Sequence, residues 1–367
     1  MIYDPFQEQA IRYINEGHSV IVSAPTGAGK TVIAEHVIRQ CLARGEKVIY
    51  TAPIKALSNQ KFRDFQAENP QIVGILTGDV SLNTSAPVQI MTTEIFRNKI
   101  LEGDASLAEF SWIIFDEIHY LDDYERGTVW EESLIFLPEH MRFVGLSATV
   151  PNIEQLAAWL KSIHGRDIRI VREENRPVPL HVFYQCQGRV YDHLKQLSSQ
   201  AFRQARTSWQ GKVPPFLPLK PNKLSPLIRM LQDEDRLPCI YFVFSRKRAQ
   251  ALAEELWEFN FLSDDEARQM EGKFNALCER FDIAGEPSVE EIRPLIRRGI
   301  AYHHAGMLPT VKEAVEQLFT SRLIKVIFTT ETFALGINMP ARTVVFDELR
   351  KFYGRKFDTL RTRDFYQ

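Results

Sequence analysis

The sequence predicts an α/β protein of two lobes, each a mostly parallel sheet flanked by helices. Three observations carry this. Short β-branched runs alternate with helix-like stretches, and the alternation occurs twice along the chain. The residues of sharpest chemistry fall at the carboxyl ends of those runs, where open α/β sheets bind ligands. A proline-dense stretch separates the two series. The 367 residues agree with two domains at roughly 150 residues each.

In the first series, SVIVSA (19–24) reads as a buried strand bounded by turn residues. KTVIAEHVIRQCLARG (30–45) follows as a helix, with Val32, Ile33, His36, Val37 and Leu42 on one apolar face and Gly45 ending it. KVIYTAP (47–53), IVGILTG (72–78), QIMTT (89–93), SWIIFDE (111–117) and FVGLSAT (143–149) continue as strands. Residues 172–177 read as the crossing between lobes, so 1–172 and 173–367 are the expected domains. PVPLHVFY (177–184) is expected to open the second sheet, and 200–226, with its run KVPPFLPLKPNKLSP, to be a surface excursion. CIYFVFS (239–245), AYHHAG (301–306), VIFTTE (326–331) and TVVFDE (343–348) form the second series. A charged segment, 257–298, reads as a solvated helical insertion, and the aromatic residues of 342–367 as core packing.

Hydrophobic residues at 44% and charged residues at 25% exclude a disordered tail, a collagen-like repeat and a bare coiled coil. No apolar run approaches the ~18 residues that span a bilayer, and MIYDPFQEQA lacks a signal core. Cys41, Cys186, Cys239 and Cys278 form no CxxC pair, so a reducing cytoplasm is expected and neither a zinc clip nor a disulfide framework is indicated. The net charge of −2 conceals an asymmetry: residues 1–170 carry 15 Lys+Arg against 22 Asp+Glu, a net of −7, and 171–367 carry 30 against 25, a net of +5.

The strongest local signal is APTGAGKT, Ala24 to Thr31, between a strand and a helix as a P-loop requires. Amides of Thr26, Gly27, Ala28 and Gly29 would face phosphate oxygens at a helix N-terminus. Lys30 would neutralise the phosphates, and Thr31 would hold Mg²⁺. The second signal is SWIIFDEIHYL, 86 residues on. Its strand end offers Asp116 for the metal and Glu117 to activate water. SAT, Ser147 to Thr149, ends another strand and alone says little.

Together, in this order, APTGAGKT, DEIH and SAT resemble the first lobe of a superfamily 2 DExH-box helicase. TAPIKALSNQKF (51–62), TGD (77–79) and MTTEIFRN (91–98) resemble its backbone-gripping loops. DEIHYLDDYERGTVWEE (116–132), with its RG and VWEE elements, resembles the superkiller-type (Ski-like) RNA helicases rather than the repair-type DNA helicases. YFVFSRKRA (241–249), YHHAGMLP (302–309) and FTTETFALGINMPARTVVF (328–346) extend the resemblance over essentially the whole chain.

The resemblance implies two tandem RecA-like P-loop NTPase lobes facing each other across ATP and Mg²⁺, with hydrolysis driving movement on RNA. Asp116 would anchor the metal and Glu117 would be the general base. Gln7, 23 residues before Lys30, would read the adenine edge with Phe6 beside it. Gly336 and Asn338 would approach the nucleotide from the second lobe, and His119, Ser147 and Thr149 would couple nucleotide to RNA. Pro53, Lys55, Asn59, Gln60, Thr77, Gly78, Thr93, Arg97, Ser245, Arg246, Thr330 and Thr332 would contact single-stranded RNA, mostly at phosphate and sugar. The resemblance further implies 3′-to-5′ movement, a monomeric motor, no membrane, and service to RNA-degradation machinery. It also implies a glycine-and-arginine motif after LRKFYGRKFDTL, where this sequence ends at Gln367. Without arginine fingers, worth about 10³–10⁵ in rate, the chain would hydrolyse ATP weakly. A DNA helicase and a nucleotide-switched RNA clamp without unwinding remain alternatives. At His303–His304 a packed loop is preferred to a metal site, since no carboxylate or cysteine lies nearby in sequence.

Overall fold

The computed structural model describes residues 2–53, 55–68, 70–123, 126–150, 152–186, 188–196, 222–330, 333, 339–352 and 357–360. It forms two compact units, dividing between Leu180 and His181.

The first unit is built on eight strands: β1 (Ser19–Ser23), β2 (Lys47–Ala52), β3 (Val73–Leu76), β4 (Ser81–Leu82), β5 (Val88–Thr92), β6 (Phe110–Phe115), β7 (Arg142–Ser147) and β8 (Ile168–Arg172). They lie in the order β4-β3-β5-β2-β6-β7-β1-β8. Every neighbouring pair is parallel except the short β3/β4 pair. β1 and β5 are buried along their whole length, which is why SVIVS and VQIMT lack the alternation of a half-wet strand.

Helices α1 (Pro5–Asn15) and α2 (Thr31–Ala43) pack on one face, contributing Phe6, Ala10, Ile14, Ile33, Val37 and Ile38 to the core beneath them. The buried face of α2 is Ile33, Ala34, Val37, Ile38 and Cys41, rotated from the expected one. Small Ala34 and Cys41 let the helix approach the sheet, while His36 turns outward and its Nε2 meets Asn15 Oδ1 at 3.0 Å. Further helices are α3 (Lys55–Glu68), α4 (Thr93–Leu101), α5 (Gly127–Ile135) and α6 (Ile153–His164). Phe115 of β6 sits among Phe96, Trp130 and Phe143, with ring centroids 5.8 to 6.2 Å away. Edge and tilted ring contacts of this kind add to area burial, and they hold β6 against α4 and α5.

The second unit has a four-stranded parallel sheet in the order β12-β13-β11-β14, where β11 is Cys239–Phe242, β12 Ile300–His303, β13 Val326–Thr329 and β14 Thr343–Phe346. PVPLHVFY does not open this sheet. Tyr184–Cys186 pairs antiparallel with Arg189–Tyr191 in a separate two-stranded ribbon (β9 and β10), and β11 begins the parallel sheet. Residues 200–221 of the expected excursion lie outside the described residues, and its last residues already belong to α7 (Leu224–Asp233). Phe346 stacks on Phe242 with centroids 5.4 Å apart. Arg350–Phe352 and Phe357–Thr359 pair antiparallel as β15 and β16.

The segment 257–298 is helical, as α9 (Asp264–Arg280) and α10 (Pro287–Ile296), but it is not a solvated pair. Met270, Phe274 and Cys278, spaced four apart, and Val289, Ile292, Leu295 and Ile296 are buried in the core of the second unit. Also described in this unit are α8 (Arg246–Glu255) and α11 (Pro309–Thr320). No described helix is long and apolar enough to cross a membrane. Phe274, 1% exposed with Arg293 over its ring, tests the packing of the insertion. Its replacement by alanine should cost about 3–5 kcal/mol in a urea melt; a solvated pair would lose less than about 0.5 kcal/mol.

Candidate active site

Parallel register brings three loops to one edge of the first sheet. Ser23 at the end of β1 lies opposite Ser147 at the end of β7, and Phe115 of β6 opposite Gly145 of β7. The P-loop, SAT and the Asp116–Glu117 pair therefore leave neighbouring or next-neighbouring strands. The Ala24 amide donates to the Ser147 carbonyl at 3.1 Å. Gly27 and Gly29 have φ of +85° and +81°, a region that costs side-chain-bearing residues energy. Thr26 is exposed and Ala28 buried.

Gln7 reaches this loop from α1. Its Nε2 donates to the Ala28 carbonyl at 3.4 Å and the Gly29 carbonyl at 3.2 Å. Its Oε1 accepts from the Asp4 amide at 3.0 Å, closing the capping box of α1. Both ends of the side chain that was expected to read adenine thus have partners within the protein. Phe6 is buried in the core of the first unit.

Lys30 Nζ donates to the carbonyls of Ala24 at 2.8 Å and Pro25 at 3.1 Å. Burial lowers its pKa, and the charges of Glu117 and Asp116 act to restore it. Asp116 is buried at the end of β6, and its Oδ2 accepts a hydrogen bond from the hydroxyl of Tyr50 on β2. Glu117 occupies the left-handed region at φ +60°. Burial and the adjacent Asp116 charge push its carboxyl up to about 7, against the lowering effect of Lys30 and Lys61. Lys61 on α3 donates to Thr31 Oγ1 at 3.3 Å. The oxygen donors Thr31, Asp116 and Glu117 suit a hard cation. Among the described residues there is no cluster of three His, Cys, Asp or Glu able to hold a metal. A donor set of this kind fits Mg²⁺, which takes one or two carboxylates plus substrate phosphates.

His119 lies under the SAT loop. Its Nδ1 accepts from the Ala148 amide at 3.4 Å and stands 3.3 Å from Glu117 Oε2. Ser147 is buried and its Oγ has no hydrogen-bond partner, while Thr149 is exposed. Sequence reasoning missed Ser23, whose Oγ accepts from the Val150 amide at 3.0 Å and donates to the Ala148 carbonyl at 3.4 Å. It also missed Tyr50 and Lys61; no local pattern marks any of the three.

The residues expected to grip nucleic acid divide into groups. Asn59 and Gln60 are half-buried on α3, and Gln60 Oε1 has no partner. Gly78 is exposed, as are Ser245 and Arg246 at the start of α8. Pro53 is buried and its carbonyl accepts from Arg126 at 3.3 Å. The hydroxyls of Thr77 and Thr93 serve the protein: Thr77 accepts from the Val80 amide at 3.1 Å, and Thr93 donates to the Ala52 carbonyl at 3.4 Å. Arg97 is ion-paired with Glu132 at 2.9 Å. The Thr330 amide donates to the His303 carbonyl at 3.2 Å. The side chain of Lys55, and Thr332, Gly336 and Asn338 entirely, lie outside the described residues. His303 is buried with Nε2 at 2.9 Å from Glu316, and His304 stacks on Tyr302.

The RG and VWEE elements now have physical content. A Cβ on Gly127 would lie 2.5 Å from the Leu121 carbonyl, so only glycine lets α5 start against the turn that follows Asp116–Glu117. Trp130 is buried and stacks on Tyr120 of that turn. Gly127→Ala should force these two backbones apart at a cost of about 1–3 kcal/mol, read as a lower denaturation midpoint together with weaker nucleotide binding.

Residues 4–156 match the family described as DEAD/DEAH box helicase. The chain is 41% identical over 386 residues to the DExH-box ATP-dependent RNA helicase DExH9 of Arabidopsis thaliana, covering 99% of this chain and 39% of that protein. It is 40% identical over 382 residues to the exosome RNA helicase MTR4 of Homo sapiens, covering 100% and 37%. It is 39% identical over 391 residues to superkiller complex protein 2 of Mus musculus, covering 99% and 31%. The chain thus spans under two fifths of the length of these relatives.

Proposed function

Because the chain belongs to the DEAD/DEAH box helicases, on their superkiller-type DExH branch, we propose that it is the ATP-driven motor core of an RNA helicase or translocase. Its two compact units are read as the two RecA-like lobes. The observation that carries the reading is the convergence of Lys30, Thr31, Asp116 and Glu117 at the carboxyl ends of β1 and β6. A chemistry of positioning and charge stabilisation requires this much of the first lobe.

In this reading the P-loop amides and Lys30 bind the β- and γ-phosphates of ATP. Thr31 and Asp116 would hold Mg²⁺. Bound there, the metal neutralises charge on the transferring phosphoryl group. Glu117 takes the proton of the attacking water; its raised proton affinity moves it toward the range in which a carboxylate is an effective base. Gln7 reports adenine occupancy through the P-loop carbonyls it holds. His119 and the Ser147–Thr149 loop carry the phosphate state toward the RNA-facing loops through the Ala148 contact. The family resemblance assigns Gly336 and Asn338, which lie outside the described residues, to the nucleotide as well. Single-stranded RNA is assigned to loop amides around Pro53, Gly78 and Thr93, to the polar groups of Asn59 and Gln60, and to Thr330 and exposed Ser245 and Arg246. The family resemblance adds Lys55 and Thr332, of which the side chain of the first and the whole of the second lie outside the described residues.

Unwinding or 3′-to-5′ movement, and service to RNA-degradation machinery, are proposed for the whole protein from its likeness to relatives named as exosome and superkiller components. A reducing cytoplasmic setting fits four free cysteines.

Nucleotide binding and ATPase with equal lengths of single-stranded RNA and DNA test this reading. Lys30→Ala should weaken ATP binding at least about tenfold, the loss of a buried charge-assisted contact. Glu117→Gln should retain ATP and lower hydrolysis about 100-fold or more. RNA should stimulate hydrolysis more than DNA. The reverse order would favour a DNA helicase, and an ATPase rate indifferent to Glu117→Gln would favour a nucleotide-switched clamp.

A further inference from the structure

We infer that Tyr50 is the positioning residue for the metal-binding carboxylate: its hydroxyl commits Oδ2 of Asp116 and leaves Oδ1 for Mg²⁺ or its water. The inference rests on the reading of Asp116 as the metal-side carboxylate, and it concerns a residue that no motif marks.

Tyr50 is 0% exposed. It lies on β2, beside β6, and pairs in register with Ile114, two residues before Asp116. The Asp116 amide donates to the Thr51 carbonyl at 2.9 Å, so the backbone at the strand end is fixed by the same strand that supplies the hydroxyl. The ring packs edge-on against Phe65 of α3 at 5.8 Å, which leaves the hydroxyl little freedom.

A phenol is well suited to this task. Its neutral hydroxyl donates to the carboxylate oxygen from a fixed ring. It orients the carboxylate without neutralising it, whereas a lysine or arginine there would pair with the charge that the metal needs. Outer partners of this kind fix the direction of a ligand and tune its affinity. Removing the hydroxyl would leave a buried carboxylate oxygen unmatched and free to turn.

The test is the Mg²⁺ concentration that half-saturates binding of a fluorescent ATP analogue by the 367-residue chain, alongside binding in EDTA. Tyr50→Phe should raise that concentration about tenfold and leave metal-free binding within about twofold of wild type. Tyr50→Met, which also lacks the hydroxyl but packs by a different shape, should show the same shift. An unchanged Mg²⁺ requirement in both variants would overturn the inference. A parallel loss of metal-free binding would also overturn it, since that marks a packing role. If Asp116→Asn left the wild-type Mg²⁺ requirement unchanged, the reading of Asp116 itself would fail, and this inference with it.

Discussion

The site depends on one constraint, the parallel register of β6, β7 and β1. Pairing Phe115 with Gly145 and Ser23 with Ser147 sets the P-loop, the Asp116–Glu117 pair and the SAT loop on a common edge. These segments are roughly 30 to 125 residues apart in sequence, so their proximity is entirely a tertiary product. A one-residue slip would turn every side chain of a strand to the opposite face. The two-sided burial of these strands forbids it, because β1 is buried throughout and the rings around Phe115 fill one face of the sheet.

The turn after β6 shows how that rigidity is used. Glu117 sits at φ +60° without being glycine, a conformation that costs about 1–3 kcal/mol and persists only where the surroundings over-determine it. Here they do. A Cβ on Gly145 would meet Ile118 at 2.9 Å, and one on Gly127 would meet the Leu121 carbonyl at 2.5 Å, so the turn is pressed from below and from behind. Tyr50 holds the residue before Glu117, and His119 bridges from the residue after Ile118 to the Ala148 amide. The carboxylate pair is carried on a strained turn whose every flank is braced.

Much of this was legible in the sequence, for a physical reason. The P-loop and the DExH strand are local devices: glycines with positive φ, a helix N-terminus, an apolar run ending in two carboxylates. Their signal is contained within a dozen residues. Tyr50, Ser23 and Lys61 were not legible because their partners lie 66, 127 and 30 residues away, and each belongs to a residue type common in ordinary strands and helices. The segment 257–298 was misread as solvated because its charges are plentiful while its buried stripe is sparse. Met270, Phe274 and Cys278 at intervals of four bury one narrow face, and the charged positions between them fill the other. The polar residues Thr77, Thr93 and Arg97 match a gripping pattern by type, yet their side chains are engaged within the protein.

That last point bears on how a chain of net charge −2 would hold a polyanion. In the first unit the expected contact side chains largely brace the loops, so in the proposed function phosphate binding there would fall to backbone amides; the partnerless Gln60 Oε1 is a buried acceptor and offers phosphate nothing. Amides fixed in direction select geometry rather than base identity, and they add no net charge to steer association. In the second unit, Arg246 and Lys247 are exposed at the start of α8, while Arg248 is drawn into an ion pair with Asp347. The long-range attraction would then come from the more basic half of the chain, and the register of the strand from the loops of the more acidic half. Such a division would suit the motor proposed above, which must release its substrate at every step. The charge term weakens with salt, whereas the geometric term can be switched by moving a braced loop.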